Sequence, residues 1–434
     1  MKIGFYGGIA NNTYVMARSF SDQRIDVLYI QDRGDNFPFS QPVWEDVSFT
    51  LSYKSVYSIN HSPQTWRRCE EELKWQRPSW CLDPDNSYRK GFNIDLENVN
   101  YLESIFVKRT LLSKNQHREV ISLMRTCDRL VVCGVEATIL AMLSGIPYVI
   151  WPHGGDIRVA SGLMYSSQDS YHERITSPKS YIKSKFTLRM LRRAYRECLW
   201  IGSHEPSGLG SREGKVRYNI EYFPLPMGKK QKLTKRKRAE GLEKLMGNIG
   251  CTYSDAEYQF FIPSRIDYYW KGTDILLEAI LREKSDRINF IFSGWGDDYN
   301  KAKKTVEALP NVTFLPCSLS KPILYKLFQS VDLVIDHFRP GNYGTSSLEA
   351  MSCGTPVMIN LSLTEFSRKG WLAPPVLNAQ NVEDVTSFFS LILAGEVNLD
   401  QLGAECHSWF DETHNSRKSI PLIISRLSTD VGSN

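Results

Sequence analysis

The strongest constraint on this chain is a repeated alternation. Short apolar runs rich in Val, Ile, Tyr and Phe alternate with longer segments of helical period, the pattern of βα units wound around parallel sheets. One series of runs, Ile3–Tyr6, Ile25–Tyr29, Leu130–Cys133, Tyr148–Trp151 and Leu199–Gly202, fills the first half. A second, Ile220–Phe223, Gln259–Ile262, Ile288–Phe292, Val312–Leu315, Leu333–Asp336 and Pro356–Ile359, fills most of the rest. Two series in 434 residues predict two domains, because a single core rarely serves so long a chain. The expected division is 1–215 for the first domain and 216–404 for the second. A helical segment, 405–434, is expected to cross back to the first.

Between the series, the turn Pro224-Leu225-Pro226-Met227-Gly228 precedes seven basic residues in the ten from Lys229 to Arg238, expected to form a solvated basic loop at the domain boundary. Residues 61–98, with Trp66, Trp75 and Trp80, fit neither series and are expected to be an insertion in the first domain. The one stretch apolar enough to suggest a membrane span, Leu130 to Trp151, is interrupted by Glu136 and by Ser144-Gly145-Ile146-Pro147. It reads as strand, helix, turn, strand. The N-terminus lacks the long apolar core of a secretory signal, so folding is expected to start at residue 2.

Composition excludes several classes. Lys and Arg number 53 against 48 Asp and Glu, a net charge of +5, which is not the concentrated basic footprint of a nucleic-acid binder. Nine scattered cysteines without a C-x-x-C give neither a disulfide framework nor a zinc site, and point to a reducing compartment. Lys179 to Arg196 reads as a basic helix with an apolar side. Either it packs one face on its own domain, or it touches anionic membrane lipid.

Four motifs could carry chemistry. After the run Gln259–Ile262, Arg265 and Lys271 leave a strand end where a helix begins, and two fixed cations there suit a diphosphate. Read alone, they are also consistent with two surface charges. The run Ile288–Phe292 enters Ser293-Gly294-Trp295-Gly296-Asp297, a tight turn lacking the G-x-G-x-x-G spacing, and no G-x-x-x-x-G-K-[ST] phosphate loop exists. In the stretch Asp336 to Pro356 a glycine-bearing loop leads to a short helix opening near Ser346, whose amides would favour an anion. Ser346-Ser347-Leu348-Glu349 also has the form of a capping box, so Glu349 alone reads first as a cap. In the first half, Pro152-His153-Gly154-Gly155-Asp156 follows a strand at the edge where open α/β sheets bind ligands.

Taken in order, these segments resemble the retaining glycosyltransferases of family 4, of the glycosyltransferase group 1 type. Their GT-B architecture is α/β: two facing Rossmann-like domains with parallel sheets and an interdomain cleft. The resemblance is strongest from Phe260 to Asn360, where SRIDYYWKGTDILLEAI, FIFSGWGDD, LPNVTFLPCSLSKPILYKLFQSVDLVID and GNYGTSSLEAMSCGTPVMIN keep the family's order and spacing. YGGIANN and WPHGGDIR look like its acceptor-side glycine loop and histidine segment.

The resemblance implies that Arg265 and Lys271 bind the donor diphosphate and neutralise the departing nucleotide, and that Glu349 accepts the ribose hydroxyls. The amides of Gly344, Thr345 and Ser346 would complete the phosphate site. Gly8 would let the first-domain loop approach the same group, and His153 would face the transferred sugar. The family's first glutamate, eight positions before Glu349, is Gly341 here, with Asn342 or Asp336 as candidates for its space. Cys317 stands where a glycine is common, near the expected base.

The implied reaction moves a sugar from a nucleotide-diphosphate-sugar donor to a hydroxyl of a glycan or lipid-linked glycan in cell-surface polysaccharide biosynthesis. The enzyme would be a cytoplasmic hexosyltransferase, with 179–196 as its candidate peripheral contact on the inner face of the membrane, needing no cofactor and no metal and binding no nucleic acid. Three rivals remain at this point: a nucleotide-sugar-binding scaffold, a GT-B epimerase, and a metal-dependent enzyme using Asp83-Pro84-Asp85.

Overall fold

The computed structural model describes residues 1–8, 11–32, 38–52, 63–84, 96, 99–152, 155–161, 178–204, 206, 218–231 and 233–428. Its strands, in chain order, are β1 (Ile3–Gly7), β2 (Val27–Ile30), β3 (Thr50–Ser52), β4 (Cys81–Leu82), β5 (Arg129–Cys133), β6 (Tyr148–Ile150), β7 (Ile201–Ser203), β8 (Ile220–Tyr222), β9 (Tyr258–Ile262), β10 (Ile288–Phe292), β11 (Val312–Phe314), β12 (Cys317–Leu319), β13 (Leu333–Ile335), β14 (Val357–Ile359) and β15 (Leu377–Asn378). The chain forms two compact units: Met1–Pro42 with Ser62–Pro226 and Ser419–Asn434, and Val43–His61 with Met227–Lys418.

The first unit is built on a parallel sheet of order β4-β2-β1-β5-β6-β7-β8. β1 is buried along its whole length, as expected of a strand covered on both faces. The stretch from 130 to 151 folds as read: β5, the helix Val135–Ser144, a left-handed cap at Gly145, then β6. Among the described residues no helix is long and apolar enough to cross a membrane.

Three expectations about this unit are corrected. The run at Ile220, expected to open the second series, closes the first sheet instead, because Ile201, Gly202 and Ser203 pair in parallel with Ile220, Glu221 and Tyr222. The boundary therefore falls after Pro226 and not at 215. The region 61–98 contains the helix Pro63–Glu72, and β4 extends the sheet by pairing with β2, so its central part is integral to the unit. Its Trp66 is buried, and Trp80 packs on Tyr14 at 5.4 Å. The helix Leu399–Thr413 stays with the second unit, and the return to the first begins only at Ser419. There Arg129 donates to the carbonyl of Leu427 at 2.8 Å and Arg426 pairs with Glu221 at 3.1 Å.

The second unit has a parallel sheet of order β11-β10-β9-β13-β14-β15 and a small antiparallel pair, β3 with β12. Its core stacks Phe260 and Phe290 of neighbouring strands against Phe389, with ring centroids 5.4–5.9 Å apart. Burial of each such ring contributes about 1.5–3 kcal/mol. The expected basic loop is also corrected: a helix, Lys235–Asn248, begins within it. Arg238 is buried there because Asp332 and Asp400 receive its guanidinium, at 3.3 and 2.9 Å. All nine cysteines are free thiols, and burial pushes Cys198 and Cys353 up to about 12.

Candidate functional site

In the second sheet β9 leads to β10 and β11 on one side, while β13 leads to β14 and β15 on the other. The winding direction reverses between β9 and β13. Loops leaving the C-terminal ends of such a pair diverge and open a crevice where α/β sheets bind ligands. Arg265 and Lys271 follow β9, Ser293-Gly294-Trp295-Gly296-Asp297 follows the neighbouring β10, and the stretch from Asp336 follows β13, so the fold gathers three of the sequence motifs at this edge.

Two glycines fix these loops. Gly296, after β10, has φ +133°, and a Cβ there would lie 2.2 Å from the carbonyl oxygen of Ile266. Without it, the Ile266 amide donates to Trp295 O at 2.8 Å and its carbonyl accepts from Asp298 N at 3.2 Å. Gly272, with φ +69°, caps the helix Thr273–Arg282 and lies against Phe338 and Arg339, while Phe338 N donates to Lys271 O at 2.8 Å.

The cations are held by buried acids. Asp267 accepts from Trp270 N at 2.7 Å with one oxygen and from Arg265 Nη2 at 2.9 Å with the other. The Arg265 side chain is 41% exposed, and its buried Nε has no partner among the described residues. Lys271 Nζ stands 3.5 Å from His337 Nδ1 and 3.9 Å from Asp336 Oδ1. Asp336 also accepts from Ser264 Oγ and, at 2.8 Å, from Ser347 Oγ. Burial would raise its pKa, but His337, Lys271 and the hydrogen bonds from His337 and Ser264 outweigh burial and hold the carboxyl well below the usual range.

The helix Thr345–Ser352 starts one residue earlier than its sequence suggests, with Gly344 as N-cap and no capping side chain. The capping box expected of Ser346 and Glu349 therefore does not form, because Ser346 lies inside the helix. First-turn amides have no intrahelical partner, so this uncapped N-terminus favours an anion. Glu349 is buried, with Oε1 accepting from Lys321 Nζ at 2.5 Å and Oε2 without a partner among the described residues. Lys321, Ser264, Ser347 and His337 were not singled out from the sequence. Their one signal, polar residues beside strand ends, acquires meaning only when β9, β12 and β13 are placed.

Neither substitute for the missing glutamate is available. Both Asp336 oxygens are engaged beneath Lys271, and Asn342 is buried with its carbonyl and Oδ1 2.7 and 3.3 Å from His337 Nε2. Gly341 itself has φ +72°, which disfavours any other residue, and its carbonyl accepts from Ser362 N at 2.8 Å. Cys317 lies in β12, paired with Ser52 of β3.

In the first unit the sheet reverses between β1 and β5. Gly7 and Gly8, at the end of β1, have φ of +77° and +125°, and the Thr13 hydroxyl donates to Gly7 O. A Cβ on Gly8 would come 2.8 Å from Thr13 Oγ1. His153 lies outside the described residues. Asp156, three positions on, accepts from Gly134 N at 3.1 Å and its own neighbour Ile157 N at 2.9 Å. Asp83 accepts from Arg67 Nε at 2.9 Å and follows β4 directly; Asp85 is outside the described residues.

The basic helix spans Pro178–Glu197. Met190, Leu191 and Ala194 are fully buried, while Arg193 reaches Glu103 and Glu197 at 2.8 and 2.6 Å. Tyr181 and Ile182, nearer its start, are exposed.

Two Rossmann-like units, the second with an anion-favouring helix start, two cations and a buried carboxylate at its switch point, define the GT-B fold. Residues 257–386, within the second unit, match the family model for glycosyl transferases group 1. Among solved structures, the chain is similar to Anabaena HepE in complex with UDP and glucose, with TM-score 0.59, 13% identity and 99% of each chain covered. It is similar to sucrose-phosphate synthase from Thermosynechococcus elongatus, with TM-score 0.57, 11% identity and 98% of each chain covered. The lipopolysaccharide outer core galactosyltransferase WaaB, in its apo form, gives TM-score 0.50 at 12% identity, over 98% of this chain and 100% of that one. At these identities the shared property is the fold. Among curated protein sequences none matches this one.

Proposed function

We propose that this chain is a retaining glycosyltransferase that moves a sugar, of hexose type, from a nucleotide-diphosphate-sugar to a hydroxyl of a glycan or lipid-linked glycan. The observation that carries the reading is the buried Glu349 oxygen, without a partner among the described residues, on the helix Thr345–Ser352 that Ser347 ties to Asp336, the carboxylate beneath Lys271. An anion at the helix start would be met by first-turn amides and both cations, while an acceptor-only carboxylate fits hydroxyl donors. That pairing matches a nucleoside diphosphate. HepE in complex with UDP-glucose, with TM-score 0.58 to this chain at 14% identity, supports a nucleotide-sugar donor.

Charge builds on the nucleotide diphosphate as the sugar leaves, so fixed cations that strengthen with that charge lower the barrier. Arg265 and Lys271 take this role, with Asp267 and Asp336 keeping them in place. Because these groups answer the leaving-group charge, no metal is assigned. His153 is proposed to face the sugar, and Gly8 to admit the first-unit loop to the diphosphate. The acceptor pathway is proposed to be cell-surface polysaccharide assembly at the inner face of the membrane. The exposed Tyr181 and Ile182, beside the cations of the helix Pro178–Glu197, would provide a peripheral contact.

A thermal-shift series with UDP, GDP, ADP and their common sugars, with and without EDTA, tests the donor site, since a ligand of the folded state raises the melting temperature. One nucleotide is expected to raise it regardless of EDTA; no shift with any would remove the donor-site reading. A second reading, a nucleotide-sugar-binding scaffold, draws on Gly341 in place of the family's first glutamate. Donor turnover, with or without an acceptor glycan, excludes it.

A further inference from the structure

Lys321 is placed where helix energetics do not favour it. It is the first residue of the helix Lys321–Ser330, and a cation at a helix N-terminus opposes the helix dipole. It is nearly buried, which an ammonium tolerates only with a partner. Ser320 just before it is pinned to Phe49 by two hydrogen bonds, 3.0 Å from Ser320 N to Phe49 O and 2.9 Å from Phe49 N to Ser320 Oγ. The Lys321 backbone is thus tied to the small β3–β12 sheet, and its side chain ends at Glu349 Oε1.

A buried ion pair of this kind is a poor source of net stability, since desolvating both charges offsets their attraction. It does fix geometry. With Oε1 held by Lys321, the other oxygen of Glu349 is held in one direction, buried, and without a partner among the described residues. A buried acceptor left unmade is costly, and an oxygen that accepts only is completed by a hydroxyl.

We propose that Lys321 is a positioning residue for ribose recognition: it orients Glu349 so that Oε2 accepts from a ribose hydroxyl, and the site thereby separates ribonucleotides from their deoxy counterparts. The proposal rests on the donor-site reading above. It adds a residue that touches neither phosphate nor sugar, together with a specificity that the Arg265 and Lys271 contacts do not supply.

The test is titration calorimetry on the full chain with UDP, GDP and ADP and with the 2′-deoxy and 3′-deoxy forms of whichever binds. The wild type is expected to bind the ribonucleotide about 10- to 100-fold more tightly than its weaker deoxy form, the range of one hydrogen bond to a charged group. Lys321→Met should bring that ratio to within about threefold while leaving affinity for the deoxy form unchanged, because the diphosphate contacts remain. Lys321→Arg should restore part of the ratio. If Lys321→Met does not fold, Lys321→Met with Glu349→Gln removes the uncompensated buried charge and should show the same indifference to the deoxy forms. A wild-type ratio near one, or a wild-type ratio retained in Lys321→Met or in the double variant, overturns the proposal. Absence of binding by all three diphosphates overturns the donor-site reading, and this proposal with it.

Discussion

Lys271 and Asp336, carried by loops that follow the adjacent strands β9 and β13, hold each other with Nζ 3.9 Å from Oδ1, the cation partly exposed and the carboxylate buried. The charge that reaches solvent is therefore anchored from beneath by one that does not. Ser264 and Ser347 tie the same carboxylate to the end of β9 and to the helix Thr345–Ser352. One buried group thus connects the loop after β9, the loop after β13 and the helix Thr345–Ser352.

This connection predicts a pH signature. Asp336 is held below its ordinary pKa, so its contribution to stability is complete above the unfolded value of about 4 and is lost as pH falls through the folded value. Asp336→Asn should be less stable than the wild type at pH 7, and the gap should narrow as pH drops from 5 towards 2. Denaturant midpoints of both proteins across that range check this. A gap that stays constant would show that the carboxylate charge is not what stabilises the loop.

Replacing Arg265 or Lys271 with Ala should lower turnover by about 10²-fold or more, the usual cost of removing one group that stabilises developing charge. Arg265→Ala should keep a melting temperature close to that of the wild type, since that side chain reaches solvent, whereas Lys271→Ala takes a partner from the buried Asp336 and should melt lower, so turnover is compared at a temperature at which both variants are folded. Turnover with a saturating donor is the measurement. Near-normal rates in either variant would remove that residue from the reaction.

Gly296 is expected to matter through the backbone it lies against. A Cβ there meets the Ile266 backbone and the residue has φ +133°, so Gly296→Ala must shift the loop that carries Arg265. The expected loss is about 1–3 kcal/mol of stability, with weaker nucleotide binding, read by denaturation and calorimetry on the same preparation. Wild-type values in both would show that the β10 loop does not hold the β9 loop in place.

Much of this was legible in the sequence because it is local. The strand runs, the helix after Gly344 and the cations Arg265 and Lys271 are written in apolar period, glycine placement and charge over a few residues. What was not legible is long-range. The pairing of β8 with β7 cannot be read from its own three residues, and β3, β4, β12 and β15 are too short to show a period. Glu349 is the instructive residue. Its local signal was a capping box, and the competing signal, Lys321, stands 28 positions away and has no pattern to announce it. The tertiary ion pair prevailed over the local motif because the helix begins at Thr345, which takes Ser346 out of the capping position.

Gly341 poses the sharpest remaining question, since relatives of the resembling family carry a glutamate there. Its left-handed backbone costs a non-glycine residue about 1–2 kcal/mol. Space is not the obstacle, because a Cβ would lie 3.5 Å from Ser362 Cβ, an ordinary contact. Gly341→Glu should therefore fold with a stability loss of about that size, and Gly341→Asn should lose less, since Asn tolerates this conformation better. The strained backbone is not the one a β- or α-region residue would use to aim a carboxylate, so Gly341→Glu is expected to leave turnover at or below the wild-type value. Denaturation midpoints of the two variants and their transfer rates decide it. A Gly341→Glu protein with faster turnover would mean that this position still addresses the sugar and that the chain has lost a contact it could use.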